Sequence, residues 1–110
     1  MKIILGGNHE LALNVLKWLI QHNENLKLVI SEGLDSDWEV NFENESKILT
    51  TKHKIPFLVG DINSYSEIIR EINPDLIILC RCKKRIRPEI LSIPNIGTTN
   101  IHYGLLPRYG

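Results

Sequence analysis

Asp75-Leu76-Ile77-Ile78-Leu79-Cys80 is a run of six residues in which only the first is charged. A short, continuous, partly β-branched apolar run predicts a strand buried on both faces, as in the interior of a parallel sheet. Working outward, the pattern repeats. Lys2-Ile3-Ile4-Leu5 ends at Gly6-Gly7, and Leu26-Lys27-Leu28-Val29-Ile30 makes a second strand. Phe57-Leu58-Val59 stops at Gly60-Asp61, and Ile96 to Ile101 makes a fifth strand. Between the first two strands, residues 9–22 place Leu11, Val15, Leu16, Leu19 and Ile20 at helical spacing. Asn8 precedes them as an N-cap, with Glu10 in the first turn. Ser46 to Lys54 reads as a helix stopped by Pro56. Ser64 to Ile72 reads as a helix with Ile68, Ile69 and Ile72 on one face, and Pro88 to Leu91 as a single helical turn. The polar stretch 31–45 has no clear period.

Strands that alternate with helices imply a parallel sheet with helices on both faces. Right-handed crossovers then give an α/β fold, an open doubly wound, Rossmann-like, mainly parallel sheet of about five strands. A length of 110 residues allows one domain, spanning 1–110. The composition, 43% hydrophobic and 24% charged, excludes a disordered, collagenous or disulfide-scaffold protein. Thirteen basic residues balance thirteen acidic ones, so no overall positive field argues for nucleic acid. No apolar run approaches the ~20 residues of a membrane span. The run after Met1-Lys2 is shorter than the about 7–15 apolar residues of a signal-peptide core, which points to the cytoplasm. Cys80 and Cys82, spaced C-x-C, fit a reducing compartment and have no metal partners at zinc spacing, so no metal site is expected.

In such sheets ligands bind beyond the carboxyl ends of the strands. The loops that leave those ends include Gly6 to His9, Ser31 onward, Arg81 to Arg87 and His102 onward. Asn100-Ile101-His102 closes the fifth strand. Alternation places Asn100 and His102 on one side, about 6–7 Å apart, with Ile101 turned into packing. An amide beside an imidazole can hold a carbonyl oxygen and move a proton. By spacing alone, the pair reads as a strand end with two polar residues capping loops.

The wider context is more specific. Pro88-Glu89-Ile90-Leu91, Ile93-Pro94, Gly97, Asn100-Ile101-His102 and Leu105-Leu106-Pro107-Arg108-Tyr109 follow in close order. This run resembles the formyltransferase N-terminal domain family, whose members use 10-formyltetrahydrofolate. Pro74-Asp75-Leu76-Ile77-Ile78 is similar to that family's fourth strand, and the Lys2-Ile3-Ile4 strand with its glycine turn to its first. The resemblance implies that Asn100 and His102 are catalytic, and that Lys84, Arg85, Ile86 and Arg87 line the pterin pocket of the donor, largely through main chain. The family is less charged along this loop. Five basic residues between Arg81 and Arg87 therefore suggest either an additional anionic contact or a solvated loop. The family's catalytic aspartate would lie beyond Gly110, so the chain is expected to be the front part of a longer domain. Alone, it is expected to be a poor enzyme that tends to self-associate.

The resemblance also implies that the acceptor is an amine. The acidic stretch 31–45 lacks lysine and arginine, the wrong sign for the phosphates of a methionyl-tRNA. Gly6-Gly7-Asn8-His9-Glu10 is only faintly like the phosphate loop of enzymes acting on glycinamide ribonucleotide. The expectation is thus an amino-sugar nucleotide or another small amine, with no membrane and no nucleic acid. Two other classes compete. A receiver domain would put its phosphorylated aspartate at Asp61, but lacks its acidic pair, since Gly6-Gly7-Asn8 occupies those positions. A non-catalytic nucleotide- or partner-binding α/β module is compatible with the fold. Gly6-Gly7 reads as a tight turn, His9, His22 and His53 as surface residues, and Trp18 as packed; Trp38 either anchors its loop or meets substrate.

Overall fold

The computed structural model describes residues 1–33, 37–82 and 85–101. Five strands form one sheet: β1 (Ile3–Gly7), β2 (Leu26–Ser31), β3 (Phe57–Val59), β4 (Leu76–Cys80) and β5 (Gly97–Ile101). Their spatial order is β3-β2-β1-β4-β5, and every neighbouring pair is parallel. Strand order reverses between β1 and β4, where Gly6 lies level with Leu79 and Gly7 with Cys80. The expected doubly wound sheet is therefore what the chain forms.

Helices α1 (His9–Gln21) and α2 (Asp37–Lys52) cover one face. Ala12, Leu13, Leu16 and Leu19 of α1 pack there on Ile3, Leu5, Val29, Ile78 and Cys80. The other face is covered by a 3₁₀ turn (Ile62–Tyr65) that leads into α3 (Ser66–Ile72), and by α4 (Pro88–Leu91). Ile62, Ile69 and Ile90 pack there on Ile4, Leu28, Ile30, Ile77 and Leu79. Consecutive β4 residues thus feed opposite cores, which is why the run from Leu76 to Cys80 needed no polar position.

Two expectations are corrected. The stretch 31–45 does not stay irregular, because α2 begins at Asp37, nine residues before the expected start at Ser46. Residues 37–45 contain neither proline nor glycine, so a helix can run through them without an apolar period to announce it. Trp18 is not packed: it is 52% exposed and stacks on His22, with ring centroids 4.0 Å apart. The His22 Nδ1–H donates to the Trp18 carbonyl at 2.9 Å. His22 and His53 are at the surface as expected.

Candidate functional site

Gly7 fixes the switch point. Its φ is +135°, and a Cβ there would lie 2.0 Å from the Cys80 carbonyl oxygen. Only glycine lets β1 turn this close to β4. The next residue, Asn8, donates its N–H to that carbonyl at 2.9 Å. Asn8 occupies the N-cap position of α1, yet its side chain does not cap the helix. Instead its Nδ2 donates to Glu32 Oε1 at 2.8 Å, tying the ends of β1 and β2 together. Asn8 is 2% exposed, and its Oδ1 has no partner among the described residues. The Gly6-Gly7 pair is thus used as a tight, buried turn, as read from the sequence.

Asn100 lies one residue before the end of β5, level with Leu79. In a parallel ladder, residues in register face the same side, so Asn100 shares the face of Leu79, with the α3 and α4 layer. Thr98, two residues earlier, confirms the facing by donating its hydroxyl to the Leu91 carbonyl of α4 at 3.1 Å. Ile101 turns the other way and packs beside Cys80. Asn100 is exposed at the carboxyl edge. His102 and Lys84 lie outside the described residues.

Arg85, Ile86 and Arg87 reach the same face. Ile86 is half-buried against the core that contains Leu79 and Ile90. The Arg85 and Arg87 side chains are exposed, while their main chain is pinned. Asn63 Nδ2 donates to the Arg85 carbonyl at 2.8 Å, and the Arg87 N–H donates to Asn63 Oδ1 at 2.8 Å. The built part of this loop is therefore its backbone, and its arginine side chains are solvated. Asp61 is also taken up structurally. Its Oδ1 accepts the Asn63 N–H at 3.0 Å and Asn63 Nδ2 at 2.9 Å. Neither the Asn63 contacts nor the Asn8–Glu32 bond was legible in the sequence. The Asp61-x-Asn63 pattern after a strand signals a local turn, but not its long-range partner.

Burial pushes the Cys80 thiol up to about 12. Burial, with Glu32, Cys80 and Asp61 nearby, pushes Cys82 up to about 12 as well. Neither is a nucleophile at neutral pH. Among the described residues no His, Cys, Asp and Glu cluster could hold a metal. No helix among them is long and apolar enough to cross a membrane.

Fold and geometry together define a doubly wound α/β domain with an amide-bearing edge strand beside a main-chain-presenting loop. Comparison with known proteins narrows this class. The chain is 32% identical over 117 residues to methionyl-tRNA formyltransferase of Thermotoga sp. (strain RQ2), covering 99% of this chain and 36% of that protein. It is 33% identical over 112 residues to the bifunctional polymyxin resistance protein ArnA of Wigglesworthia glossinidia brevipalpis, covering 99% of this chain and 17% of that protein. The fold matches the crystal structure of glycinamide ribonucleotide transformylase 1 from Symbiobacterium toebii with a TM-score of 0.65 at 16% identity, covering 97% of this chain and 53% of that one. No protein-family model matches the sequence. Over nearly its whole length the chain is thus similar to formyltransferases, and it spans about a third of the length of the methionyl-tRNA formyltransferases it matches.

Proposed function

We propose that this protein takes part in moving a formyl group from 10-formyltetrahydrofolate to an amine. The observation that carries this reading is the placement of Asn100. It stands exposed at the carboxyl edge, on the face where the pinned Arg85–Arg87 main chain also lies. The residues present suit a pterin. Ile86 offers a half-buried apolar side chain, and its N–H and C=O bond to no described residue. A pterin ring needs a flat apolar contact and an edge of donors and acceptors.

The donor, when bound, supplies an electrophilic formyl carbon. The Asn100 amide can donate to the formyl oxygen as negative charge grows there during amine attack. His102, two residues further along the sequence and outside the described residues, would take the proton that the attacking amine loses. Arg85 and Arg87 leave exposed guanidinium groups at the rim, suited to a phosphate on the acceptor.

For the acceptor, we favour an amino-sugar nucleotide or another small amine, because residues 31–45 are acidic and lack basic side chains. The named methionyl-tRNA formyltransferases favour a second reading, in which the amine is that of methionyl-tRNA. Purified full-length protein with 10-formyltetrahydrofolate should release tetrahydrofolate only when the correct amine is added. In that assay His102→Ala should nearly abolish turnover. Asn100→Ala should lower it about 10²–10³-fold, as for loss of one oxyanion donor. Unchanged turnover in both variants would remove the two residues from the site.

A further inference from the structure

Asn63 does more than fold its own turn. From the geometry we infer that Asn63, braced by Asp61, is a positioning residue that presents the Ile86 main chain to the folate; this rests on the formyl-transfer reading above. The 3₁₀ turn carrying Asn63 leaves the end of β3 and crosses above β2 and β1, as the buried Ile62 shows. Its Cδ1 would lie 3.5 Å from a Cβ placed on Gly6. The crossing brings Asn63 to a loop 22 residues further along the chain.

There the carboxamide pairs as a neighbouring strand would. It takes the Arg87 N–H on its oxygen and gives its nitrogen to the Arg85 carbonyl, both at 2.8 Å. The orientation is unambiguous. Both Nδ2 hydrogens have acceptors, the Arg85 carbonyl and Asp61 Oδ1, and a flipped amide would set its oxygen against both. Arg87 is extended, with φ −68° and ψ 145°. In extended chain, flanking peptide groups that point one way leave the central residue's N–H and C=O pointing the other. The amide grip therefore turns the polar groups of Ile86 outward from Asn63, while its side chain stays in the core beneath. A donor–acceptor pair held this way is ordered before a ligand arrives, so less ordering remains to oppose binding.

The test uses full-length protein and 5-formyltetrahydrofolate, a stable isomer of the donor, titrated by isothermal calorimetry. Amide hydrogen exchange at Arg87 is the second readout. Asn63→Ala removes both contacts. Asn63→Asp keeps the volume but opposes the Arg85 carbonyl with oxygen. Asp61→Asn keeps an acceptor oxygen and serves as the conservative variant. Both Asn63 variants should bind the folate about tenfold or more weakly and expose the Arg87 amide to faster exchange. Asp61→Asn should stay near the parent. In turnover, KM for the folate should rise while KM for the amine holds. Faster exchange with unchanged folate affinity would overturn the positioning role and leave the formyl-transfer reading intact. Affinity that falls only in step with the melting temperature would also overturn it, marking Asn63 as a general stability residue. A parent protein that binds no folate would overturn both proposals.

Discussion

The two faces of the sheet are secured by different physics. On one, helices of 13 and 16 residues lie along the strands, and α1 buries Ala12, Leu13, Leu16 and Leu19 in a continuous apolar layer. On the other, helices of 7 and 4 residues bury few side chains, and polar contacts do more of the joining. Asn63 grips the Arg85–Arg87 main chain, Thr98 reaches the Leu91 carbonyl, and Tyr65 donates its hydroxyl to the Val59 carbonyl. Apolar burial is non-directional and holds elements together wherever they settle. Hydrogen bonds are directional and fix which way a peptide group points. The first face therefore gives the domain its stability, and the second gives its carboxyl-edge loops their orientation. The candidate site lies on the second.

The largest expected effect tests that division. Leu16 is fully buried, and Leu16→Ala should cost about 2–5 kcal/mol in denaturant melts. Asn63→Ala frees groups near solvent that can turn to water, and should cost less than about 1.5 kcal/mol. Equal costs would break the distinction between a stabilising face and an orienting one.

The same division decided what the sequence could show. Each strand core was legible because burial on both faces leaves an unbroken apolar run, and α1 because one stripe repeats at helical period. The start of α2 was hidden, since the residues before Ser46 carry no clear apolar period. Trp18 misled because an indole near an apolar stripe is normally buried, whereas here His22 one turn on supplies a stacking partner in solvent. The place of Asn100 near the end of its strand was legible from alternation, and its register with Leu79 agrees with that placement. Asn63 was not, because its contacts join polar residues 22 and 24 positions apart, and no local pattern encodes such a pairing.

The cysteines offer a chemical probe of each face. Cys80 packs with the α1 layer, and Cys82 beside Ile86 on the other side. Both thiols are pushed up to about 12 by burial, so both should resist iodoacetamide at neutral pH and react quickly in urea. A raised thiol pKa favours the folded state below the unfolded value of about 8.5, an advantage lost as pH climbs from there toward the folded value. Where the two should differ is access. Cys82 lies in a loop and needs only local opening, whereas Cys80 is central in the sheet and needs near-global unfolding. Mass-spectrometric labelling should therefore find Cys82 modified first. Equal rates would mean that the second face is as closed as the first.

A smaller effect concerns the start of β4. The Asn95 side-chain amide, then the Lys2 N–H, hold the Asp75 carboxyl below the usual carboxylate range. A depressed folded value means that the carboxylate supports folding above its ordinary pKa, and that this support is lost as pH falls through the folded value. Urea midpoints of the parent should therefore decline on acidification with a component missing from Asp75→Asn. Identical pH profiles would show that the junction of β1, β4 and β5 rests on its strand pairing alone.

The smallest effect is expected where α3 meets α4. Arg70 and Glu89 approach to 3.3 Å, but their side chains are 51% and 52% exposed. Water competes for both charges, and two long side chains lose freedom in meeting, so such a pair contributes about 0–1 kcal/mol. The contrast with Asn63 lies in what each contact restrains. The ion pair joins two flexible side-chain tips and leaves the helices free to shift by the length of those chains. The Asn63 amide bonds the main chain at two points, so it transmits position as well as attraction. A double-mutant cycle on Arg70→Ala and Glu89→Ala should give a coupling below about 1 kcal/mol that fades with added salt. It should leave the exchange of the Arg87 amide unchanged. A coupling of several kcal/mol, or faster Arg87 exchange in Arg70→Ala, would transfer the orienting role on this face from the amide to the ion pair.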